Sequence, residues 1–591
     1  MADGPLIVQS DKTVLLEVDH PAATEARHAL ASFAELERAP EHVHTYRITH
    51  LGLWNARAAG VDAERVLDVL LTYSRYPVPH ALLMDIDDIM SRYGRLRLEN
   101  DPLHGLVMRT DDYPVLEEVL HAQKAAAMFG PRIDGETVVV HAASRGQLKQ
   151  QLLKLGWPAE DLAGYVDGTP HPIGLTEVPE TGELPETGEL PETGEVPETG
   201  ELPETGKVPE TEQAPDDGAA EPWQLRPYQR MAVENFWAGG SGVVVLPCGA
   251  GKTLVGAGAM ATANATTLIL VTNTVSARQW KAELLRRTTL TESEIGEYSG
   301  SVKEVRPVTI ATYQVLTLKR GGLYPHLELV NGHDWGLIIY DEVHLLPAPI
   351  FRMTADLQAR RRLGLTATLV REDGRESEVF SLIGPKRYDA PWKDIEAQGY
   401  IAPAECVEVR VELPRDERVA YAMAEDADKY RLCSSSEVKL PVVRSIVDRH
   451  PGEQVLVIGQ YLDQLAELGE MLGAPVLTGS TSVAERQRLF GEFRAGTLEV
   501  LVVSKVANFS IDLPEASVAI QVSGSYGSRQ EEAQRLGRLL RPKEDGKSAH
   551  FYTVVSRDTL DQEYAQKRQR FLAEQGYAYT IMDAGDLPTV R

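Results

Sequence analysis

The chain has 591 residues, enough for about three to five domains, and a formal net charge of −27. Fifteen acidic residues and one lysine between Glu177 and Glu221 carry about half of that charge, so the total neither establishes nor excludes a nucleic-acid partner. Three cysteines without paired spacing predict neither disulfides nor a zinc site, and with no signal peptide or run of about 18 apolar residues we expect a cytoplasmic protein.

Residues 1–170 are predicted to form a mixed α/β amino-terminal accessory domain. From Tyr46 onward, three short helices and a closing strand follow one another as in a winged helix. A helix with a wing is a common DNA reader, but the basic residues form no stripe here, so DNA contact and simple packing both stay open. The other predicted strands lie at 5–9, 13–18, 105–110 and 137–142, and the other predicted helices at 22–39, 113–129 and 144–156.

Residues 171–221 are predicted to be a disordered acidic linker. Between about 178 and 212 the chain repeats the hexapeptide PETGEL or close variants, with a proline in every unit and few apolar side chains. Such a composition cannot form a packed core and predicts an extended tether. The alternative is an acidic strip that competes with DNA for a basic groove.

A phosphate-binding loop follows the linker. Residues 242–246 are a predicted buried strand that leads into PCGAGKT and a small-residue helix. In this arrangement glycine N–H groups close around phosphates, Lys252 reaches the β and γ oxygens, and the Thr253 hydroxyl binds Mg²⁺. The strict pattern has glycine at position 246, where this chain has Leu246. The predicted ATP-binding residues are Arg226, Gln229, Gly249, Ala250, Gly251, Lys252 and Thr253, with Gln229 placed to pair with adenine.

Strands that alternate with helices after this loop predict a parallel α/β sheet, whose functional residues lie at the carboxyl ends of strands. One strand ends in Asp341-Glu342. Asp341 is predicted to lie beside the phosphate loop and hold Mg²⁺, and Glu342 to polarise the attacking water. The predicted strands are 267–272, 308–313, 336–342 and 362–368.

A second parallel sheet is predicted past about residue 400, from strands at 454–459, 474–482, 498–522 and 549–555. It has no phosphate loop of its own. A helix between residues 528 and 542 places Gln534, Arg538 and Arg541 on or near one face. Arginines clustered in this way need an anion, and the γ-phosphate bound by the first sheet supplies one, so Arg538 and Arg541 are predicted arginine fingers.

The ordered motifs LRPYQ, GAGKT, ATYQ, DEVH, TAT and QRLGRLLRP resemble those of superfamily-2 helicases. The triplet Arg371-Glu372-Asp373 and the nearly continuous final motifs are similar to the XPB family of DNA translocases. The resemblance implies an α/β fold: two tandem RecA-like parallel-sheet motor domains preceded by a mixed α/β N-terminal domain. The implied boundaries are 222–395 for the ATP-binding domain, 396–575 for the second motor domain and 576–591 for a tail.

The same resemblance implies ATP and Mg²⁺ as cofactors and a set of roles. Lys252, Asp341, Glu342, Gln534, Arg538 and Arg541 would be catalytic, with Thr253 and Asp341 on the metal. Coupling to DNA would use His344, Thr366 and Thr368. The DNA-binding residues would be Thr272, Arg278, Thr312, Arg371, Glu372, Asp373, Thr478, Ser504 and Asn508.

The leading hypothesis is an ATP-dependent DNA helicase or translocase with 3′→5′ polarity that acts in DNA repair. Its partners would be single-stranded, forked or duplex DNA and a nuclease, and the protein would be a monomer. One rival is an RNA-directed motor with the same core; the other is an ATP-gated DNA clamp that recruits a nuclease without unwinding. The thumb-like insertion of the family would fall at 413–445, which is short and weakly basic here.

Overall fold

The computed structural model describes most of the chain outside the acidic repeat. The described residues are 4–38, 42–176, 224–247, 249–320, 324–327, 332–357, 360–367, 376–390, 392–398, 403–504, 516–524, 548–574, 577 and 579–587. The repeat at 178–212, predicted to be a tether, lies outside them.

The first part of the amino-terminal domain is a four-stranded antiparallel sheet with helices packed on it. Its strands, in spatial order, are Leu6–Val8, Thr13–Glu17, Val43–Ile48 and Ala34–Arg38. Its helices are Ala23–Ala31, His50–Ala58, Ala63–Tyr73 and His80–Ser91. Thr49 and Asp62 accept hydrogen bonds from N–H groups in the first turns of two of these helices, which explains where they begin. The predicted succession of three helices and a closing strand is present.

One predicted helix in this region is wrong. The run 22–39 was expected to be helical throughout, but the helix ends at Ala31 and residues 34–38 form a strand. Ala34 and Leu36 are buried in the sheet, while Glu37 pairs with Arg47 of the neighbouring strand at 3.1 Å. The helix-favouring composition is therefore overridden by cross-strand packing.

A second, five-stranded sheet completes the amino-terminal domain around a core of its own. The predicted helix 113–129 is interrupted at Ala122, and a strand that was not predicted begins at Phe129. The strands, in spatial order, are Phe129–Arg132, Thr137–Val140, Gly105–Arg109, Arg97–Asp101 and Glu160–Asp161; the helices are Tyr113–His121, Gln123–Ala126 and Arg145–Lys154.

The first motor domain is a seven-stranded sheet in which every pairing is parallel, as predicted. Its β-branched strands are buried on both faces, which suits a sheet covered by helices on each side. The strands, in spatial order, are Ile295–Tyr298, Val308–Thr312, Thr267–Val271, Leu337–Asp341, Arg361–Thr366, Gly242–Val245 and Lys386–Asp389. The main helices are Pro227–Gly239, Lys252–Ala263, Thr274–Arg287, Ala348–Asp356 and Glu376–Leu382.

The second motor domain is another fully parallel, seven-stranded sheet. The predicted tail begins too early, because residues 579–583 pair with strand Ala404–Val411 at the sheet edge. The strands, in spatial order, are Val476–Leu477, Val500–Ser504, Val455–Gly459, Val518–Gln521, Ala549–Ser556, Ala404–Val411 and Tyr579–Asp583. The helices are Arg415–Met423, Asp426–Ser434, Lys439–Asp448, Leu462–Leu472, Val483–Arg494 and Leu560–Glu574. The candidate thumb stretch thus comprises two short helices and the start of a third.

Residues 166–176, here called the strap, run along the first motor domain. Thr169 accepts a hydrogen bond from Thr266 N–H and donates one to Asp334 O, at 2.9 and 3.1 Å. Farther along, Thr289 N–H donates to Gly174 O at 2.9 Å, and Thr176 N–H donates to Arg287 O at 3.0 Å. The predicted linker boundary at 171 is therefore too early, since residues 171–176 are part of this folded contact.

The amino-terminal domain also holds the far edge of the first motor sheet. The guanidinium of Arg387 donates to Ala58 O of the amino-terminal domain at 2.9 Å and to Gly239 O and Ser241 O of the motor at 2.8 and 2.9 Å. Lys386 N–H donates to the Asn55 side chain at 3.0 Å. Among the helices that the structure describes, none is both long and apolar enough to cross a membrane.

Candidate functional site

The candidate site is built on the loop between strand Gly242–Val245 and helix Lys252–Ala263. Gly249 and Gly251 have φ angles of 82° and 79°, in the left-handed region that glycine adopts without strain. A Cβ at position 251 would lie 2.4 Å from Nε2 of Gln229, so this position has no room for a side chain. The glycines therefore let the loop turn tightly and place Lys252 and Thr253 at the start of the helix, as the motif predicts.

The upstream residues of the LRPYQ motif brace this loop. The Tyr228 hydroxyl and the Gln229 amide both donate to Ala250 O at 2.9 Å. The Gln229 carbonyl oxygen accepts from Arg226 N–H at 2.9 Å, and Gln229 is 1% exposed. Both ends of the amide are thus used within the chain, so pairing of Gln229 with adenine stays a prediction.

Lys252 contacts the carboxylate pair at the end of strand Leu337–Asp341. Its ammonium lies 2.8 Å from Oε1 of Glu342. Burial by itself would raise the pKa of Glu342, but the charges of Lys252 and His344 outweigh burial and lower that pKa. Glu342 is therefore ionised at neutral pH and held on the lysine. Its φ of 49° turns the backbone sharply at this point.

Asp341, the other member of the pair, has its pKa shifted in the opposite direction. Burial, and then the negative charge of Glu342, raise the pKa of Asp341 to about 6. Its Oδ1 accepts from Glu342 N–H at 3.1 Å, its Oδ2 accepts from Trp280 Nε1 at 3.0 Å, and its carbonyl oxygen accepts from the Tyr313 hydroxyl at 2.8 Å. The sequence did not reveal these last two contacts, because nothing in the spacing marks a hydrogen bond across 61 or 28 residues.

His344 and Thr366, two of the residues predicted to couple hydrolysis to DNA, lie in contact. Nδ1 of His344 lies 2.7 Å from Oγ1 of Thr366 and 3.4 Å from Oε2 of Glu342. Both residues are buried. A chain of polar contacts therefore runs from the partly exposed Lys252 and Glu342 to the buried His344 and Thr366.

The oxygen donors at this site suit Mg²⁺. Thr253 offers a hydroxyl and Asp341 a carboxylate, and Mg²⁺ typically takes one or two such protein ligands together with waters and substrate phosphates. Lys252, the predicted phosphate ligand, is adjacent to Thr253 in the chain. In the part of the chain that the structure describes, no cluster of three or more His, Cys, Asp or Glu side chains is arranged to hold a metal ion.

Of the predicted DNA-contact residues that the structure describes, four lie at or just after the carboxyl ends of strands and Arg278 lies on a helix, but not all of them are accessible. Thr272 and Thr478 follow strands Thr267–Val271 and Val476–Leu477 and are partly exposed, and Arg278 is exposed on the next helix. Thr312 and Ser504 are each 2% exposed, and the Thr312 hydroxyl accepts from Val315 N–H at 3.4 Å. DNA contacts by these two hydroxyls stay predictions that their burial does not support.

Several predicted site residues lie outside the described part of the chain. They are Thr368, Arg371, Glu372, Asp373, Asn508, Gln534, Arg538 and Arg541. The segment that contains Gln534 and the two arginines directly follows Gly524, whose backbone N–H and carbonyl both contact the Tyr430 hydroxyl.

Three family models match this chain. One described as ERCC3/RAD25/XPB C-terminal helicase matches residues 395–587, one described as helicase conserved C-terminal domain matches 6–134, and one described as type III restriction enzyme, res subunit, matches 222–371. The matches fall on both motor sheets and on the amino-terminal domain.

Whole-chain relatives are similar over nearly the full length. A DNA 3'-5' helicase XPB of Kineococcus radiotolerans is 69% identical over 587 residues, covering 99% of this chain and 98% of the relative. One of Mycobacterium tuberculosis is 66% identical, covering 99% of each. The Saccharomyces cerevisiae general transcription and DNA repair factor IIH helicase/translocase subunit XPB/SSL2 is 31% identical, covering 98% of this chain and 72% of the relative. The similarity therefore includes the amino-terminal domain.

Proposed function

This chain belongs to the XPB family of superfamily-2 helicases, and from that premise we propose that it is an ATP-dependent DNA helicase or translocase that moves 3′→5′ and acts in DNA repair. Two relatives named DNA 3'-5' helicase XPB, which align over nearly the full length of this chain and of their own, support the proposal. The observation that carries it is the Lys252–Glu342 contact of 2.8 Å, with Asp341 adjacent in the chain. It brings a phosphate ligand, a candidate base and a candidate metal ligand to one point.

The contact also suggests how ATP would prime the site. Lys252 is the phosphate ligand, yet in this structure it is paired with Glu342. Phosphate oxygens that engage Lys252 would compete with this pairing and release an ionised Glu342 to accept a proton from the attacking water. Thr253 and Asp341 would hold Mg²⁺, whose chemistry is to neutralise charge that develops on the phosphates.

The remaining roles follow from the positions of the motifs. His344 and Thr366 would transmit the state of Glu342 to the next strand end. Thr368 and the Arg371-Glu372-Asp373 triplet, which follow that strand in the sequence, would act on DNA. Gln534, Arg538 and Arg541 would close the site from the second motor domain. Thr272, Arg278, Thr478 and Asn508 would contact backbone phosphates, which carry no sequence information. We place the protein in the cytoplasm, as a monomer with a nuclease partner.

ATP hydrolysis by the wild type and by Lys252→Ala tests the proposal. Each protein is assayed without nucleic acid and with single-stranded DNA, forked DNA or RNA, alongside strand displacement on 3′- and 5′-tailed forks. We expect DNA to stimulate hydrolysis, displacement from 3′ tails only, and a loss of about 100-fold or more in Lys252→Ala, because an electrostatic ligand of the transferred phosphate is removed.

The matched control is Lys386→Ala. Lys386 makes a comparable ion pair, 2.7 Å from Asp389, in the same domain but at the edge of the sheet. It should hydrolyse ATP like the wild type. Stimulation without displacement would favour the clamp or a translocase, RNA exceeding DNA would favour the RNA-directed motor, and hydrolysis unaffected by Lys252→Ala would refute the site.

A further inference from the structure

We propose that Trp280, assisted by Tyr313, is a positioning residue that fixes the Asp341 carboxylate for Mg²⁺ and ties it to the two elements that follow predicted DNA-contact residues. The inference rests on the proposed role of Asp341 as a metal ligand. It adds a physical connection between the DNA side and the metal side of the first motor domain, separate from the contact between His344 and Thr366.

The indole hydrogen bond is well placed to hold the carboxylate. Trp280 is 2% exposed, and its Nε1 lies 3.0 Å from Oδ2 of Asp341. An indole N–H is only a donor, and a buried donor without a partner costs free energy. Together with Glu342 N–H on Oδ1, this bond fixes both oxygens of Asp341, yet each keeps a second lone pair for a metal or a bound water.

The Trp280 ring has little freedom to move. It packs against helix Lys252–Ala263, where a Cβ on Gly256 would meet the ring at 2.4 Å. That helix begins with the phosphate-loop lysine. A ring confined in this way keeps its N–H directed at Asp341. Because the ring packs against the helix that follows the phosphate loop, a shift of that helix would also move the ring.

Trp280 belongs to an element that begins at predicted DNA contacts. Thr272 is followed by Asn273 and then by helix Thr274–Arg287. Asn273 caps this helix, because its side-chain oxygen accepts a hydrogen bond from Ser276 N–H at 2.9 Å. Arg278, exposed and predicted to contact DNA, is two residues before Trp280. A phosphate that pulls on the first turns of this helix therefore acts on the residue that holds Asp341.

Tyr313 holds Asp341 from the neighbouring strand, whose last residue, Thr312, is itself buried. It directly follows Thr312 and begins helix Tyr313–Leu316. Its hydroxyl donates to the Asp341 carbonyl oxygen at 2.8 Å, and the residue is 4% exposed. Asp341 is thus held at its side chain and at its backbone by the two elements that follow Thr272 and Thr312.

The test measures ADP binding by calorimetry, in excess Mg²⁺ and in EDTA. The ratio of the two affinities reports the metal's contribution without any turnover. We expect Trp280→Phe to reduce this ratio about 10-fold, within the 10–100-fold range typical when a group that orients a metal ligand is lost. The ADP affinity of Trp280→Phe in EDTA should stay unchanged. A site that had merely misfolded would bind ADP more weakly in EDTA as well.

The matched control is Trp54→Phe. Trp54 is also buried and donates its Nε1 hydrogen bond, to Ile89 O at 2.9 Å, but in the amino-terminal domain. Trp54→Phe should leave the ratio of the two ADP affinities unchanged. Tyr313→Phe, which keeps the ring and loses only the hydroxyl, serves as a second variant. It should reduce the effect of single-stranded DNA on ADP affinity in Mg²⁺ by about 3-fold or more.

Asp341→Asn separates failure of the inference from failure of the proposed site. If Asp341→Asn loses the Mg²⁺ dependence and Trp280→Phe keeps it, the positioning role is overturned while the metal site stands. If both variants keep it, the assignment of Asp341 itself is overturned. A fall in the EDTA affinity of Trp280→Phe equal to the fall in Mg²⁺ also overturns the inference, because it shows general damage.

Discussion

His44 lies on strand Val43–Ile48 of the amino-terminal sheet and is 4% exposed. Burial, and then the charge of Arg27, lower the pKa of His44 from 6.5 to about 4. The unfolded chain therefore binds a proton at this site more readily than the folded chain, and stability is lost as pH falls from 6.5 toward 4. Full protonation would lower the free energy of unfolding by on the order of 3 kcal/mol.

We expect His44→Leu to remove this pH dependence, because leucine has nothing to titrate. In calorimetric unfolding of the full chain, the transition containing the amino-terminal sheet should fall in temperature between pH 7.5 and 5.0 more in the wild type than in His44→Leu. His42→Leu, at an exposed histidine two residues away, should behave like the wild type. Equal falls in all three proteins would contradict the prediction.

At the scale of elements, the backbone of the strap comes very close to the backbone of the first motor domain where Gly168 meets Gly336. A Cβ on Gly336 would lie 2.3 Å from Asp167 O, and one on Gly168, whose φ is 78°, would lie 2.2 Å from Gly336 N. We expect Gly336→Ala to lower the free energy of unfolding by about 2–3 kcal/mol, since the backbone must shift to accommodate the methyl group.

Thermal unfolding measures this change, with Gly300→Ala as the control. A Cβ at position 300 meets nothing within 4 Å, so that variant should match the wild type to within about 0.5 kcal/mol. Equal stability of Gly336→Ala and Gly300→Ala would show that the strap is not packed as described.

Elements with a strong local pattern could be predicted from the sequence, and those that depend on distant partners could not. The strand ending at Asp341 is a short apolar run buried on both faces, and the phosphate loop has its own glycine signature. The strap, in contrast, lacks any periodicity, because its hydrogen bonds are to the backbone of residues far along the chain. The contacts of Trp280 and Tyr313 to Asp341 were missed for the same reason.

At the scale of the whole molecule, the amino-terminal domain contacts both motor domains. Arg387 and Asn55 join it to the first, and helix Leu560–Glu574 of the second contacts strand Ala34–Arg38. The sequence gives no sign of this arrangement, since each contact joins surfaces more than 300 residues apart. If the two motor domains move relative to each other, either the contact between helix Leu560–Glu574 and strand Ala34–Arg38 must change or the amino-terminal domain must change its own conformation.

We also expect the strap to make the covalent link through the acidic repeat dispensable. It precedes the repeat, yet its hydrogen bonds reach Thr266, Thr289 and Asp334, which follow the repeat. A chain cut at a protease site engineered within 178–212 should elute as one particle and retain DNA-stimulated hydrolysis, whereas separation of the fragments on a sizing column would contradict this. Fragments 1–176 and 224–591, expressed separately, should then reassemble by complementation into a working two-piece motor.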